Sequence, residues 1–322
     1  MLTPLVALLL AQAPADLPPL PVGVSSLGAA IAGDALYVYG GHCGKTHSYD
    51  TASVLGTFHR LKLDGRGGWE ALPGGPRLQG VTLTARGDRV YRVGGMTPFN
   101  APGDKTDIRS TAACAVFDPA AGTWAKLPPL PAPRSSHDTV LVGDTLLVVG
   151  GWNSRGAAGH DWHDTAVALD LAAAAPEWKP VPQPFQRRAL TAAVAGGKVY
   201  VLGGLAADAA AVRTVDVYDP ASKTWAAGPD LPGPSDRVGF SPAAGTVAGR
   251  LVVNTSAGPL HRLSADGASW EAVGAAVQKR MVARLLSFRG QAVLVGGAGG
   301  GQNVSLIERI TPTPAGKPAG GG

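Results

Sequence analysis

Short apolar runs recur along the chain and stop on paired glycines: LYVYGG at 36–41, VYRVGG at 90–95, LLVVGG at 146–151, VYVLGG at 199–204 and AVLVGG at 292–297. A sixth, LVVNTS at 251–256, keeps the apolar run and replaces both glycines. A brief apolar run bounded by turn residues predicts a buried strand, and a glycine pair at its end permits a bend or close approach that a Cβ would block. Other strand-like pieces hold a fixed phase to these marks. Each run is preceded by one, such as HDTVLVGD or ALTAAVAGG, and followed by another: FHRLKLDG, ACAVFDP, AVALDL, VDVYDP, LHRLSADG and LIERITP. Trp69, Trp124, Trp178, Trp225 and Trp270 each stand 25 to 30 residues ahead of the next glycine pair or its Thr255-Ser256 replacement. Four short strands repeated six times predict an all-β chain folded as a six-bladed β-propeller.

The glycine pairs, the VYDP-like third strands, the GTW and KTW of 122–124 and 223–225, and PRSSH at 133–137 resemble Kelch repeats, over nearly the whole chain. The resemblance implies four-stranded Kelch blades. The last unit ends at its third strand, 306–310, with no tryptophan strand behind it, whereas DLPPLP at 16–21 copies KLPPLP at 126–131, which follows such a strand. The N-terminal segment is therefore expected to give blade six its outer strand and close the ring. Residues 1–15 read as a signal peptide, an apolar run ending in Ala13-Pro14-Ala15, which predicts export to the periplasm or medium. The run is too short to span a bilayer, so no integral membrane anchor is expected. The propeller occupies 16–311, and the Pro/Gly-rich 312–322 reads as a disordered tail.

Composition adjusts this picture only modestly. The net charge of +5 is mild and lacks the basic stripe with stacking aromatics of a nucleic-acid binder. Cys43 and Cys114 are the only cysteines; their even number invites a disulfide, yet Cys114 falls where Val215 falls in VDVYDP, as an apolar filler of a third strand. His42, Cys43 and His47, and likewise His160, Asp161 and His163, match no recognised metal spacing, so no metal or cofactor is expected.

Function is expected on the face that carries both the fourth-to-first connections and the second-to-third connections. The latter are long in blades one to three (HCGKTHSYDTASVLG, MTPFNAPGDKTDIRS, WNSRGAAGHDWHD) and shrink to LAADAAAVR and AGPL in blades four and five. Arg77, Arg134, Arg187, Arg237 and Arg280 stand 16 to 18 residues before Gly94, Gly150, Gly203, Thr255 and Gly296. That register puts them at the start of the innermost strands, near the channel mouth, where guanidinium groups would favour a carboxylate or phosphate; alternatively each satisfies carbonyls or a carboxylate between blades. Eukaryotic Kelch propellers carry mouth arginines at the matching position, some of which capture acidic peptide segments. With His42, Trp152, Asn153, Arg155, His160 and Trp162 of the long loops, these arginines form the expected ligand site, for an acidic protein segment or an anionic carbohydrate, on a monomer. No catalytic residue is assigned. The alternative implied by the resemblance is a sugar-acid mutarotase or epimerase like the bacterial sialic-acid mutarotases, with His and Asp of the loops as acid and base. A copper oxidase resembling galactose oxidase is disfavoured, because its ligand set cannot be assembled from Cys43, Tyr49 and the available histidines.

Overall fold

The computed structural model describes residues 17–314. It is all-β, and its strands form six antiparallel blades around a central axis. Blade one shows the plan: Gly28–Ala32, Ala35–Tyr39, Phe58–Lys62 and Glu70–Leu72 lie side by side in chain order, with Gly28 opposite Tyr39, Tyr39 opposite Phe58 and Phe58 opposite Leu72. Blades two to five repeat it with four strands each. Their second strands are buried on both faces, as in Leu146, Leu147, Val148 and Val149, because neighbouring blades cover both sides. This explains why the sequence shows continuous apolar runs there instead of alternation.

The glycine pairs are contacts between blades. Both glycines of each pair have positive φ, for example 64° and 89° at Gly150 and Gly151, and the second donates its N–H to a carbonyl of the next blade's opening segment. Gly41 bonds Leu78, Gly95 bonds Arg134, Gly151 bonds Arg187, Gly204 bonds Gly239 and Gly297 bonds Val24, all within 2.7–2.9 Å. A Cβ on Gly150 would lie 2.6 Å from the Arg187 carbonyl oxygen, so the side chain must be absent for the bond to form. Where Thr255 and Ser256 replace the pair, no such bond is made among the described residues.

The outer-strand tryptophans are a second set of inter-blade ties. Each donates its indole N–H to a proline carbonyl of the preceding segment: Trp69 to Pro19 at 2.7 Å, Trp124 to Pro73 at 2.8 Å, Trp178 to Pro128 at 2.9 Å, Trp225 to Pro182 at 2.7 Å and Trp270 to Pro229 at 3.1 Å.

At the axis a third set closes on itself. Ser26, Gly80, Ser136, Ala189, Ser241 and Val282, one per blade, all adopt the left-handed conformation, with φ between 46° and 57°. Each donates its N–H to the carbonyl of its counterpart in the preceding blade: Gly80 to Ser26, Ser136 to Gly80, Ala189 to Ser136, Ser241 to Ala189, Val282 to Ser241 and Ser26 back to Val282, at 2.7–3.2 Å. Six peptide units thus form an unbroken hydrogen-bonded ring.

Closure between blades six and one uses the N-terminal segment. Leu20 donates its N–H to Ser305 at 2.8 Å, as Leu130 does to Ala112, and Leu17, Leu20 and Val24 are buried with Phe288, Val293, Val295 and Ile307. Residues 17–24 therefore follow the path of a fourth-to-first connection. Blade six has three strands among the described residues, and residues 17–21, expected to give its outer strand, form none; the expected signal peptide and most of the tail lie outside the described residues. No helix among the described residues is long and apolar enough to cross a membrane. Cys43 and Cys114 are free thiols, and burial pushes that of Cys114 up to about 11.

These ties can be weighed separately. Gly150→Ala should lower stability by about 2–4 kcal/mol, through a disfavoured φ and the lost approach to Arg187. Trp178→Phe, which removes one hydrogen bond and keeps most of the ring, should cost about 1 kcal/mol. Urea unfolding midpoints of the two variants would check the order.

Candidate functional site

The ring of left-handed residues forms the floor of a cavity of about 840 Å³ on the face carrying the long loops. Its inner wall comes from the segments that open each blade, and its outer wall from the segments that follow the glycine pairs. In five blades these two walls are stitched together by a two-residue antiparallel bridge just before the ring: Ser25 to His42, Gln79 to Met96, Ser135 to Trp152, Arg188 to Leu205 and Met281 to Ala298. Blade five, with its four-residue connection, has Phe240 in the inner position and no bridge.

The long connections build the rim. That of blade one is held by Asp50, whose Oδ1 accepts the N–H groups of Ala52 and Ser53 at 2.9 Å each. Those of blades two and three are β-hairpins, Met96–Pro98 with Ile108–Ser110, and Trp152–Ser154 with His160–Trp162. Adjacent rim segments are joined by hydrogen bonds, from Asn303 to the Gly44 carbonyl at 2.8 Å, Asn100 to the Tyr49 carbonyl at 2.9 Å and Ser154 to the Ile108 carbonyl at 2.8 Å.

Charge in the cavity is one-sided. Its lining contains Arg188, Arg237 and Arg284 and no aspartate or glutamate. Arg188 stacks its guanidinium 4.1 Å from the Trp152 ring centre and 5.6 Å from that of Trp162, beside His160. Burial pulls its pKa down, partly offset by the nearby Tyr49. Its Nε is buried without a hydrogen-bond partner among the described residues, as is the Nε2 of Gln79 on the same wall. Arg237 sits exposed on a short 3-10 turn, Asp236–Gly239, and its neighbour Asp236 pairs with Arg213 at 3.1 Å.

Arg284 is different, each of its three nitrogens donating one hydrogen bond. It lies two residues beyond the ring, where the other blades have Gly28, Thr82, Asp138, Thr191 and Ala243. From blade six it crosses the channel to Asp138 of blade three at 2.9 Å, and also donates to the Leu27 and Val81 carbonyls at 3.1 and 3.3 Å. The Asp138 carboxylate also takes the Thr191 hydroxyl and the Ala192 and Thr139 N–H groups. The pair plugs the channel beneath the cavity.

The expected convergence of five arginines on the mouth is corrected by these positions. Arg134 is buried and donates to the Gly150 and Thr165 carbonyls; Arg187 to Gly203 and to Thr214 and Asp216; Arg280 to Leu306, Leu294 and Glu308. Each turns back into its own blade, where the second strand ends at the glycine pair and leaves carbonyls that need donors. Arg77 donates to the Thr51 carbonyl and lines a shallow cleft beside residues 52–57. Of the eleven expected ligand residues, only Arg237 and His42 line the cavity. His42 is buried, its Nε2 2.6 Å from the Ser48 carbonyl and its ring beside Tyr49. Trp152, His160 and Trp162 form the aromatic group behind Arg188, while Asn153 and Arg155 lie on the hairpin, with Arg155 paired to Asp161 at 3.1 Å. Arg188 and Arg284 escaped the sequence; only alignment of the six inner strands reveals Asp138 and Arg284 as the charged pair at one register position. Among the described residues no group of three or more His, Cys, Asp or Glu side chains gathers into a metal-binding set.

A family model described as "Kelch motif" matches residues 186–232. The chain is 28% identical over 213 residues to Kelch-like protein 35 of Mus musculus, covering 66% of this chain and 32% of that protein. It is 25% identical over 201 residues to Kelch repeat and BTB domain-containing protein 12 of Danio rerio, covering 59% of this chain and 32% of that one. The match thus spans under a third of either relative's length. A solved structure titled "Structure of YjhT" superposes with a TM-score of 0.74 at 16% identity, covering 93% of this chain and 98% of that chain, and so shares the fold.

Two stability predictions come from the buried charges. Arg284→Met strands the Asp138 carboxylate and should cost about 3–5 kcal/mol, much of it regained in the Asp138→Asn/Arg284→Met double variant. Burial, and then the Arg134 charge, depress the His163 pKa from 6.5 to about 4, while its Nε2 donates to the Pro133 carbonyl. The unfolded chain takes up a proton that the folded chain refuses. This contribution is therefore complete above pH 6.5 and is lost as pH falls towards 4, in the same direction as the more deeply buried His137. Thermal midpoints across that range should fall less steeply in His163→Gln.

Proposed function

We propose that this chain, a propeller of Kelch repeats, is a binding module that captures an anionic ligand, an acidic protein segment or an anionic carbohydrate, in the cavity at its channel mouth. The observation that carries this reading is a lining with no carboxylate, in which Arg284 is paired to Asp138 beneath it while Arg188 and Arg237 have no acceptor among the described residues. A guanidinium that is partly desolvated and lacks an acceptor gains most from a carboxylate or phosphate, through paired charge-assisted hydrogen bonds. The stack on Trp152 holds the Arg188 guanidinium in place, so little side-chain entropy is lost on binding. Arg284 takes no part in the capture, because Asp138 neutralises its charge at 2.9 Å and its guanidinium also donates to the Leu27 and Val81 carbonyls.

A sugar-acid mutarotase is less well supported. Anomer exchange needs a general acid and base at the ring, and the lining offers only His42, His47, His137 and Tyr49, of which His137 is fully buried and His42 is tied to Ser48.

Calorimetric titration with a glutamate-rich peptide and with an oligogalacturonate, at low and moderate salt, tests the binding reading. Affinity should fall with salt, and Arg188→Ala and Arg237→Ala should each weaken it by about tenfold, or 1.4 kcal/mol. Arg155→Ala should leave it unchanged. Binding that ignores salt and both cavity arginines would overturn the assignment.

A further inference from the structure

Two residues before each glycine pair, or its replacement, stands a buried aliphatic side chain: Val38, Val148, Val201, Val253 and Leu294. Blade two is the exception and has Arg92 there. In three interfaces the aliphatic residue shares its cluster with a buried leucine of the connection leading into the blade, Leu20 with Val38, Leu130 with Val148 and Leu231 with Val253. Each leucine donates its N–H to the carbonyl two residues before a third strand, that of Ser305, Ala112 or Arg213, at 2.8–2.9 Å. Gly75 makes the same bond to Gly56 at 2.9 Å and so holds the leucine's place between blades one and two. Its backbone does not demand glycine, because its φ is not positive; a Cβ there would lie 2.8 Å from the Arg92 Nη1 and 2.8 Å from the Tyr39 hydroxyl. This interface has exchanged a leucine–valine contact for an arginine and the room that the arginine needs.

The Arg92 guanidinium lies in a corner formed by the rings of Tyr39 and Trp124, which meet at 81°, at 4.7 and 4.8 Å from their centres. The same two rings pin the chain beside it. Trp124 donates to the Pro73 carbonyl at 2.8 Å and Tyr39 to the Pro76 carbonyl at 2.7 Å, on either side of the exposed Gly74 and Gly75. Arg92 is 7% exposed; its Nε and Nη1 are buried without a hydrogen-bond partner among the described residues, and its Nη2 makes no hydrogen bond either but is not enclosed. No carboxylate among the described residues balances it, and Tyr39 and Cys114, the acids beside it, are held uncharged at neutral pH by burial. An unpaired buried cation is less stable than the aliphatic side chain that the other five blades carry. Stability given up in this way is common at binding positions.

We infer that Arg92 is the base of a second anion site, in which a small oxyanion, a carboxylate or a phosphate, docks against the guanidinium at the Gly74-Gly75 window between blades one and two. The rings occupy the sides of the guanidinium, so an oxyanion accepts from Nη2 at its open edge and supplies the counter-charge that the chain withholds. The window is two glycines wide between prolines that are each held by a ring, which suits a small ion better than a chain segment. The site is separate from the cavity at the channel mouth and does not depend on the reading given to it.

The test uses the full chain carrying Arg188→Ala and Arg237→Ala, so that the cavity adds nothing, and compares it with the same chain carrying Arg92→Met as well. Without added anion the Arg92→Met chain should melt no lower, because an aliphatic side chain fits this position in the other blades. Phosphate or acetate at a few tens of millimolar, against chloride at equal ionic strength, should raise the midpoint by about 1–2 °C more when Arg92 is present. Taking the difference between the two chains removes the general stabilisation that phosphate gives to folded proteins. A response to both ions supports a shared oxyanion site, and a response to one alone supports it and names the source as a phosphate or a carboxylate compound. Restoring the aliphatic pair with Gly75→Leu and Arg92→Val should also abolish the difference; Arg92→Met decides the matter if that variant does not fold. Equal anion responses with and without Arg92 would overturn the inference. So would an Arg92→Met chain that melts several degrees lower with no anion response to lose, which makes Arg92 a packing strut. Either result leaves the cavity reading untouched, because its arginines are absent from both chains.

Discussion

The closed ring of six peptide hydrogen bonds is the constraint from which the geometry of the molecule follows. A ring of this kind can close only if every member offers its N–H to one side and its carbonyl to the other, which the left-handed conformation achieves by turning the chain sharply between blades. Gly80 reaches it freely, whereas Ser26, Ser136, Ala189, Ser241 and Val282 do so at a cost of about 1–2 kcal/mol each. A backbone hydrogen bond returns only about 1 kcal/mol net, so the ring is close to break-even by itself. It is held by what surrounds it: the glycine contacts, the tryptophan ties and the aliphatic layers between blades. In exchange it fixes the direction of its neighbours. Of the residues just before a member, Ser25, Gln79, Arg188, Phe240 and Met281 line the cavity, and two of those two positions beyond one, Asp138 and Arg284, meet across the channel.

That fixed direction explains why the arginine register was read correctly along the chain and incorrectly in space. Arg187 and Arg188 differ by one position, and in extended backbone one position reverses the face. Arg187 turns into its blade towards the Gly203 carbonyl, and Arg188 turns into the cavity. Counting from the glycine pair selects the first of the two with good regularity, because the glycine carbonyl is what Arg134 and Arg187 bind 16 residues upstream. The repeat in the sequence is thus a signature of a structural hydrogen bond. At Arg134, Arg187 and Arg280 the even spacing reports a contact that each blade makes within itself, the alternative that the register had left open beside a ligand-binding mouth.

The periodic features were legible for the same reason that they are structural. Glycine pairs, phased tryptophans and strand lengths repeat because each blade must meet the next in the same way, and a period can be read without coordinates. The partner of each tryptophan could not be. Trp178 bonds Pro128 and Trp270 bonds Pro229, proline carbonyls whose distance along the chain differs and whose role only the stacking of blades reveals. The Arg284–Asp138 pair was hidden more deeply. It joins blades on opposite sides of the axis, so neither local pattern nor neighbouring repeats announce it. The N-terminal copy of the proline-rich connection was visible because it is a displaced piece of the period, and Leu20 and Pro19 occupy the places that the period assigns them.

Chemistry collects where the period fails. A propeller with six identical blades would present six identical bridges around a symmetrical mouth, with no preferred direction for a ligand. Blade five breaks the symmetry once, through Thr255 and Ser256 in place of two glycines and a connection too short to reach its own opening segment. Blades one to three break it in the opposite sense, with loops that fold into a rim joined by side-chain hydrogen bonds. The cavity therefore has a high side and a low side: Arg188 stacks against the Trp152–Trp162 hairpin of the high side, and Arg237 stands on the low one. Local departures from a consistent fold tend to mark functional positions, and here the departure has a physical form: a carbonyl, that of Phe240, left without the backbone donor that the other blades provide.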